Sequence, residues 1–189
     1  MTRYGTVVAD PPWRYATPRG ITTRTRGSGG FAPEAERNYP TMSVDEIAAL
    51  PVRELVADDA HLYLWVTNPI LPAVFPIVEA WGFRYTTLLT WRKLGTLGMG
   101  YYFRGDTEHV IFGVRGRAPI APPDRQRNWF AAPKTGHSRK PDIFYEMVES
   151  VSPGPWLELF ARRRRYGWDA WGDEAPKLAA SQATLGLVG

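Results

Sequence analysis

Thr6-Val7-Val8-Ala9-Asp10-Pro11-Pro12-Trp13 decides how the chain is read. Thr6 to Ala9 is a short apolar run, and the two prolines after Asp10 cannot donate to a sheet ladder, so the run predicts a buried strand that stops at Asp10. In an open α/β sheet, ligands bind outside the carboxyl ends of the strands. Pro12 has no N–H, which leaves the Pro11 carbonyl out of ordinary turn bonding with that residue. Four residues thus hold a carboxylate acceptor, a carbonyl acceptor and an aromatic plane. That set suits an amino group with two N–H donors on a flat ring, held with its lone pair toward an electrophilic methyl. Asp-Pro alone would be a turn; the full tetrapeptide after a buried strand is read as a site.

Outward from this motif, strands and helices alternate. Arg14 to Asn38 is a long Gly-, Thr- and Arg-rich connection around Gly27-Ser28-Gly29-Gly30, with Arg14, Arg19, Arg24, Arg26 and Arg37 as candidate phosphate contacts. Ser43-Val44-Asp45-Glu46 is a capping box and predicts a helix to about Leu50. His61 to Thr67 reads as a strand, and Pro69 to Trp81 as a helix weakened by Pro72 and Pro76 and closed at Gly82. Arg84 to Trp91 and Glu108 to Val114 read as strands, with a short one at Asn128 to Ala131. Pro141 to Val151 reads as a helix, and Trp156 to Ala161 as the last strand. The alternation predicts an α/β domain with a mostly parallel sheet covered by helices on both faces. It fills one domain over residues 1–176, and 177–189 is a small polar tail expected to fray.

Composition excludes several classes. Of 189 residues 44% are apolar and 22% charged, which is ordinary for a globular protein. No apolar run approaches ~18 residues, so no membrane span is expected, and Met1 to Val8 lacks the pattern of a secretory signal. Cysteine is absent and His61, His109 and His137 are scattered, so neither disulfides nor a metal site is expected. A cytoplasmic protein fits. The net charge of +4 is compatible with a polyanionic partner, and 13% aromatic residues supply rings for core and for base stacking. Gly27 to Gly30 lacks the Gly-Lys-Ser/Thr of a phosphate loop. Gly95 to Gly100 opens no helix, so it makes a poor dinucleotide fingerprint.

Asp10-Pro11-Pro12-Trp13 resembles the catalytic motif of amino-group methyltransferases, and its Trp form is similar to that of the MTA-70 family of adenine methyltransferases. Further blocks resemble that family in order: Tyr39-Pro40-Thr41-Met42, Leu64 to Asn68, Thr90 to Lys93, Glu108-His109, Ser138 to Asp142, Glu158 to Arg162 and Trp171-Gly172. The resemblance runs from Val7 to Glu174. It implies a Rossmann-like methyltransferase fold with the catalytic motif N-terminal to the cofactor strand, and S-adenosylmethionine as cofactor. Catalytic residues would be Asp10, Pro11, Pro12 and Trp13. Lys140 would meet the cofactor's carboxylate and Phe160 would pack on it. Arg162 and Arg164 would line its pocket with Asp10, and Asp173 and Glu174 would reach ribose and adenine; the family more often carries Asn at the position of Asp173.

Tyr39, Trp65, Asn68, Trp91, Arg104 and Glu108 are candidate substrate contacts, and Arg115, Arg117, Arg125 and Arg127 candidate phosphate contacts. The expected reaction is in-line methyl transfer to the exocyclic amine of adenine in DNA. The alternatives are the same reaction in RNA, or a non-catalytic member that binds nucleic acid or a partner. Target specificity would come from the long loops, a partner subunit or a second copy of the chain.

Overall fold

The protein is described by a computed structural model over residues 3–14, 41–95, 97–98, 102–120, 124–134 and 139–172. Its elements are β1 (Tyr4–Ala9), α1 (Val44–Ala48), α2 (Val52–Leu55), β2 (Val56–Val66), a 3-10 turn (Leu71–Ala73), α3 (Phe75–Ala80), β3 (Arg84–Leu94), β4 (Thr107–Arg115), β5 (Trp129–Pro133), α4 (Asp142–Val151), β6 (Trp156–Leu159) and β7 (Trp168–Trp171).

The strands form one seven-stranded sheet in the order β5-β3-β4-β2-β1-β6-β7. β1 pairs in parallel with β2 and β6, β3 with β5, and β6 with β7, while β4 runs against both β2 and β3. Six strands therefore point one way and only β4 is reversed, which makes this an α/β, Rossmann-like fold. Strand order switches direction at β1, with β2 on one side and β6 on the other, so a crevice opens at the carboxyl end of β1. Asp10 is the first residue past that end.

Alternation along β1 builds two cores. Val7 and Ala9 face a cluster with Leu62, Leu64, Ile77 and Trp81, covered by α1, α2 and α3; Val8 faces another with Tyr63, Trp65, Phe144 and Val148, covered by α4. Trp81 is fully buried and donates its indole N–H to the Ile47 carbonyl at 3.1 Å, which fastens α3 to α1. Truncating such a ring costs about 3–5 kcal/mol. The expected capping box is present in both halves: Glu46 N–H donates to Ser43 Oγ at 3.2 Å and Ser43 N–H to Glu46 Oε2 at 2.6 Å.

Four expectations change. β2 starts at Val56 rather than His61, because Asp58 and Asp59 are on exposed stretches that hide the strand pattern, and pairing of Tyr4 with Val56 supplies the ladder. The helix expected from Pro69 to Trp81 splits, since Pro72 and Pro76 restrict it to a 3-10 turn and the short α3; Gly82, at φ 84°, ends it as expected. β3 runs on to Leu94, three residues past Trp91. The last strand is β7, beyond β6: Trp168-Asp169-Ala170-Trp171 alternates buried and half-buried residues, but only four residues carry the pattern. The 177–189 tail lies outside the described residues.

Candidate active site

The turn after β1 is fixed from several sides. Pro11 is buried, Met42 N–H donates to the Pro12 carbonyl at 2.8 Å, and Arg14 N–H donates to the Met42 carbonyl at 2.9 Å. Trp13 N–H donates to the Pro11 carbonyl at 2.9 Å. Pro12 donates nothing to this carbonyl, as expected, but the next residue does, so it is not wholly free. One lone pair remains. Trp13 is 5% exposed, and its indole donates to the Trp65 carbonyl at 3.2 Å. Its ring pins the motif to β2 and presents no open face of stacking size.

Asp10 stands on the rim beside Lys140, Nζ to Oδ1 3.2 Å. Lys140 also reaches Glu108 Oε2 at 2.9 Å, and Lys93 reaches Glu108 Oε1 at 2.6 Å. The reversed strand explains Glu108: because β4 runs the other way, its beginning lies on the rim where the other strands end. Lys140 sits 4.5 Å over the Trp65 ring. Burial opposes charge on all three groups; pairing prevails at Lys140 and Glu108, and burial prevails at Asp10. Lys140 is held above the usual lysine range because Asp10 and Glu108 outweigh its burial. Glu108 is held low because Lys140 and Lys93 outweigh its burial. Asp10 is pushed up, by burial first and by the Glu108 charge, against the pull of Lys140 and Arg162.

A further carboxylate lies behind this row. Glu158, at the end of β6, accepts from Tyr145 O–H at 2.6 Å and is raised by burial and by the charge of Asp10, against the pull of Tyr145 and Arg165. Arg165 stacks over Tyr145 at 4.0 Å. Asp142 gathers Arg139, Arg163 and Arg165, and of these Arg165 first and then Arg163 hold its carboxyl down at about 2.

Phe160 follows β6 with φ 61°, a left-handed conformation that costs a non-glycine residue on the order of 1–2 kcal/mol. Its ring meets Trp171 edge-on at 5.3 Å. A Cβ on Gly172 would fall 2.3 Å from the Ala161 carbonyl oxygen, so only glycine lets β7 close against this turn. Phe160 is half-buried at the carboxyl end of β6, next to β1, packed against the core that holds Val7 and Ala9.

The fold thus brings Asp10, Pro11, Glu108, Lys140 and Phe160 to one rim, with Arg162 close enough to act on Asp10. Arg164 is exposed in the same β6–β7 connection, and Asn68 is exposed in the turn after β2. Trp65 and Trp91 are core residues, 1% and 2% exposed. Trp91 donates to the Ala132 carbonyl at 3.0 Å, whereas Trp65 Nε1 is buried without a hydrogen-bond partner among the described residues. Arg104 donates to the Gly98 carbonyl at 2.7 Å and to that of Leu97. Arg115 and Arg117 stand at the far end of β4, on the edge opposite Asp10, where Arg115 pairs with Asp58 at 3.8 Å. Arg125 and Arg127 are exposed ahead of β5. Tyr39, Asp173 and Glu174 lie outside the described residues. Lys93 and Glu158 lie in family-like blocks without an assigned role, and Tyr145 lies in none; cross-strand register and helix docking bring the three to the site.

Among the described residues, no three His, Cys, Asp or Glu side chains gather as metal ligands, and no helix is long and apolar enough to cross a membrane. The MT-A70 family model matches residues 4–174. The Type II methyltransferase M.MunI of a Mycoplasma species is 32% identical, over 98% of this chain and 84% of its own length. The N(6)-adenosine-methyltransferase MT-A70-like of Arabidopsis thaliana is 29% identical over 90% of this chain, which spans 24% of that protein. The human N(6)-adenosine-methyltransferase catalytic subunit METTL3 is 27% identical over 86% of this chain, which spans 26% of it. With its motif turn on the switch-point strand and a match over nearly its whole length, the chain belongs to the MT-A70 family of adenine N(6)-methyltransferases.

Proposed function

We propose that this protein transfers a methyl group from S-adenosylmethionine to the exocyclic amine of adenine in DNA, in the cytoplasm. The observation that carries the reading is the rim row of Asp10, Lys140 and Glu108 at the end of β1, joined by contacts of 3.2 and 2.9 Å. DNA is favoured because the chain spans 84% of M.MunI, a Type II methyltransferase. RNA is the second reading, supported by the N(6)-adenosine-methyltransferases among the relatives.

The residues fit the cofactor by the chemistry of their donor set. Lys140 offers an ammonium to a carboxylate, Asp10 and Glu158 offer carboxylates to an ammonium, and Phe160 offers a ring at the end of the neighbouring strand. When bound, S-adenosylmethionine supplies an electrophilic methyl on a positively charged sulfur. Asp10 and the remaining lone pair of the Pro11 carbonyl accept the two N–H groups of the adenine amine and fix its lone pair in line. Lys140 opposes the rise that burial imposes on the Asp10 carboxyl, and Glu108 together with Lys93 holds Lys140 in place. The amine proton leaves to water after transfer. The rate gain comes from positioning and from exclusion of water around the reacting pair.

The test offers methyl-labelled S-adenosylmethionine with duplex DNA, single-stranded DNA and RNA, followed by digestion to nucleosides. Label in N6-methyladenine from DNA supports the proposal, label confined to RNA supports the second reading, and label in neither contradicts both.

A further inference from the structure

The hairpin between β3 and β4 overhangs the rim that carries Asp10. Ala9, Leu64, Ile111 and Leu88 are in register across four strands, so Asp10 lies one residue past that line. β3 continues for six further residues (89–94), which at about 3.3 Å each is roughly 20 Å. Its described residues are braced against each other. Lys93 N–H donates to the Asp106 carbonyl at 2.7 Å, Gly98 N–H to the Gly105 carbonyl at 2.9 Å, and Arg104 to the carbonyls of Gly98 and Leu97. Its stem is joined to the rim through Lys93, Glu108, Lys140 and Asp10.

Among the described residues of this arm, two adjacent rings, Tyr102 and Phe103, are 96% and 90% exposed, and Leu97 is exposed too. Rings so fully hydrated contribute nothing to a core. On the same hairpin Arg104 follows Phe103 and the carbonyls that hold it do not neutralise it, Lys134 is exposed beyond the neighbouring strand β5, and Arg92 is paired with Asp106 at 3.6 Å. Bare rings with a cationic neighbour, on an arm that overhangs the rim, match nucleic-acid bases and phosphates in both stacking and charge.

We propose that Tyr102 and Phe103 form a stacking wedge that occupies the place vacated in a duplex when the target adenine turns out toward Asp10. The inference rests on the adenine methylation proposed above. Extrusion forfeits stacking and pairing of the target, and inserted rings return part of that loss to the flanking base pairs. A wedge matters only where there is a stack to fill, so its effect belongs to paired substrate.

The experiment uses methyl-labelled S-adenosylmethionine with plasmid DNA lacking adenine methylation, native and heat-denatured. The double variant Tyr102→Ala/Phe103→Ala is expected to lose roughly 10- to 100-fold in rate on native DNA and to stay within about 3-fold on denatured DNA. Its cofactor affinity by equilibrium dialysis and its mass in solution stay unchanged, and the exchange Tyr102→Phe/Phe103→Tyr keeps the activity. Equal losses on both substrates, or no loss on native DNA, would overturn the wedge; so would a change of solution mass, which would place a second copy of the chain on the tip. Absence of transfer by the unaltered chain to either DNA would overturn the DNA reading itself and the wedge with it, a result distinct from all of these.

Discussion

Lys140 Nζ lies 3.2 Å from Asp10 Oδ1, so the residue proposed to meet the cofactor's carboxylate and the residue proposed to grip the adenine amine are ion-paired with each other. Each ligand must therefore take over part of a pair that already exists. The arrangement keeps two buried charges compensated before either ligand arrives, which a lone buried Asp10 could not achieve.

Lys140→Met removes the cation that opposes the rise of Asp10. Burial and the charge of Glu108 then act on Asp10 unopposed by Lys140, and its pKa rises further. Because the ionised carboxylate is the working form, activity is expected to fall roughly 10²-fold at neutral pH and to recover partly as pH rises. The acid limb of the kcat/KM profile thus moves to higher pH. A loss uniform across the profile would show that Lys140 does not tune Asp10.

Phe160 separates backbone strain from ligand contact. At φ 61° glycine is at ease and alanine is not, so Phe160→Gly should melt above Phe160→Ala by about 1 kcal/mol of stability, although alanine keeps more side chain. Both variants lose the ring proposed to pack on S-adenosylmethionine, and both are expected to bind it roughly 10-fold more weakly. Calorimetry of melting and of cofactor binding reads the two effects separately. Equal melting of the two variants would contradict the strained geometry.

Much of this site was legible in the sequence because it rests on local chemistry. Two prolines after an apolar run locate the end of β1, and Ser43 with Glu46 announces α1. What was not legible depends on contacts distant in sequence. The bond from Trp13 N–H to the Pro11 carbonyl and the burial of the Trp13 ring follow from docking against Met42 and Trp65. The reversal of β4 carries Glu108 to the rim and Arg115 away from it, and neither residue's neighbours in sequence signal that direction. β7 is four residues long, too short for its alternation to stand out beside an arginine run.

His61 makes the fold sensitive to acid. Its Nε2–H donates to the Ala118 carbonyl at 2.6 Å, which leaves Nδ1 to accept from Ser152 O–H at 2.8 Å, while Ser152 Oγ accepts from Tyr63 O–H at 2.7 Å. Only a neutral ring satisfies that chain. Burial, partly offset by the Ala118 bond, lowers its pKa below the usual 6.5. The unfolded chain then binds a proton that the folded one refuses, so the contribution is complete above about 6.5 and is lost as pH falls below it. The melting temperature should drop between about pH 7 and 5, by ~2–4 °C per 1 kcal/mol lost, and His61→Gln should flatten the slope. Identical slopes in the two proteins would contradict this assignment.

The most direct test of the central claim is the methyl-transfer rate of Asp10→Ala on DNA, measured beside its affinity for S-adenosylmethionine and its melting temperature. A variant that stays folded and still binds the cofactor, yet loses roughly 10²–10³-fold in rate, is the predicted result. A folded Asp10→Ala protein with full activity would contradict the account.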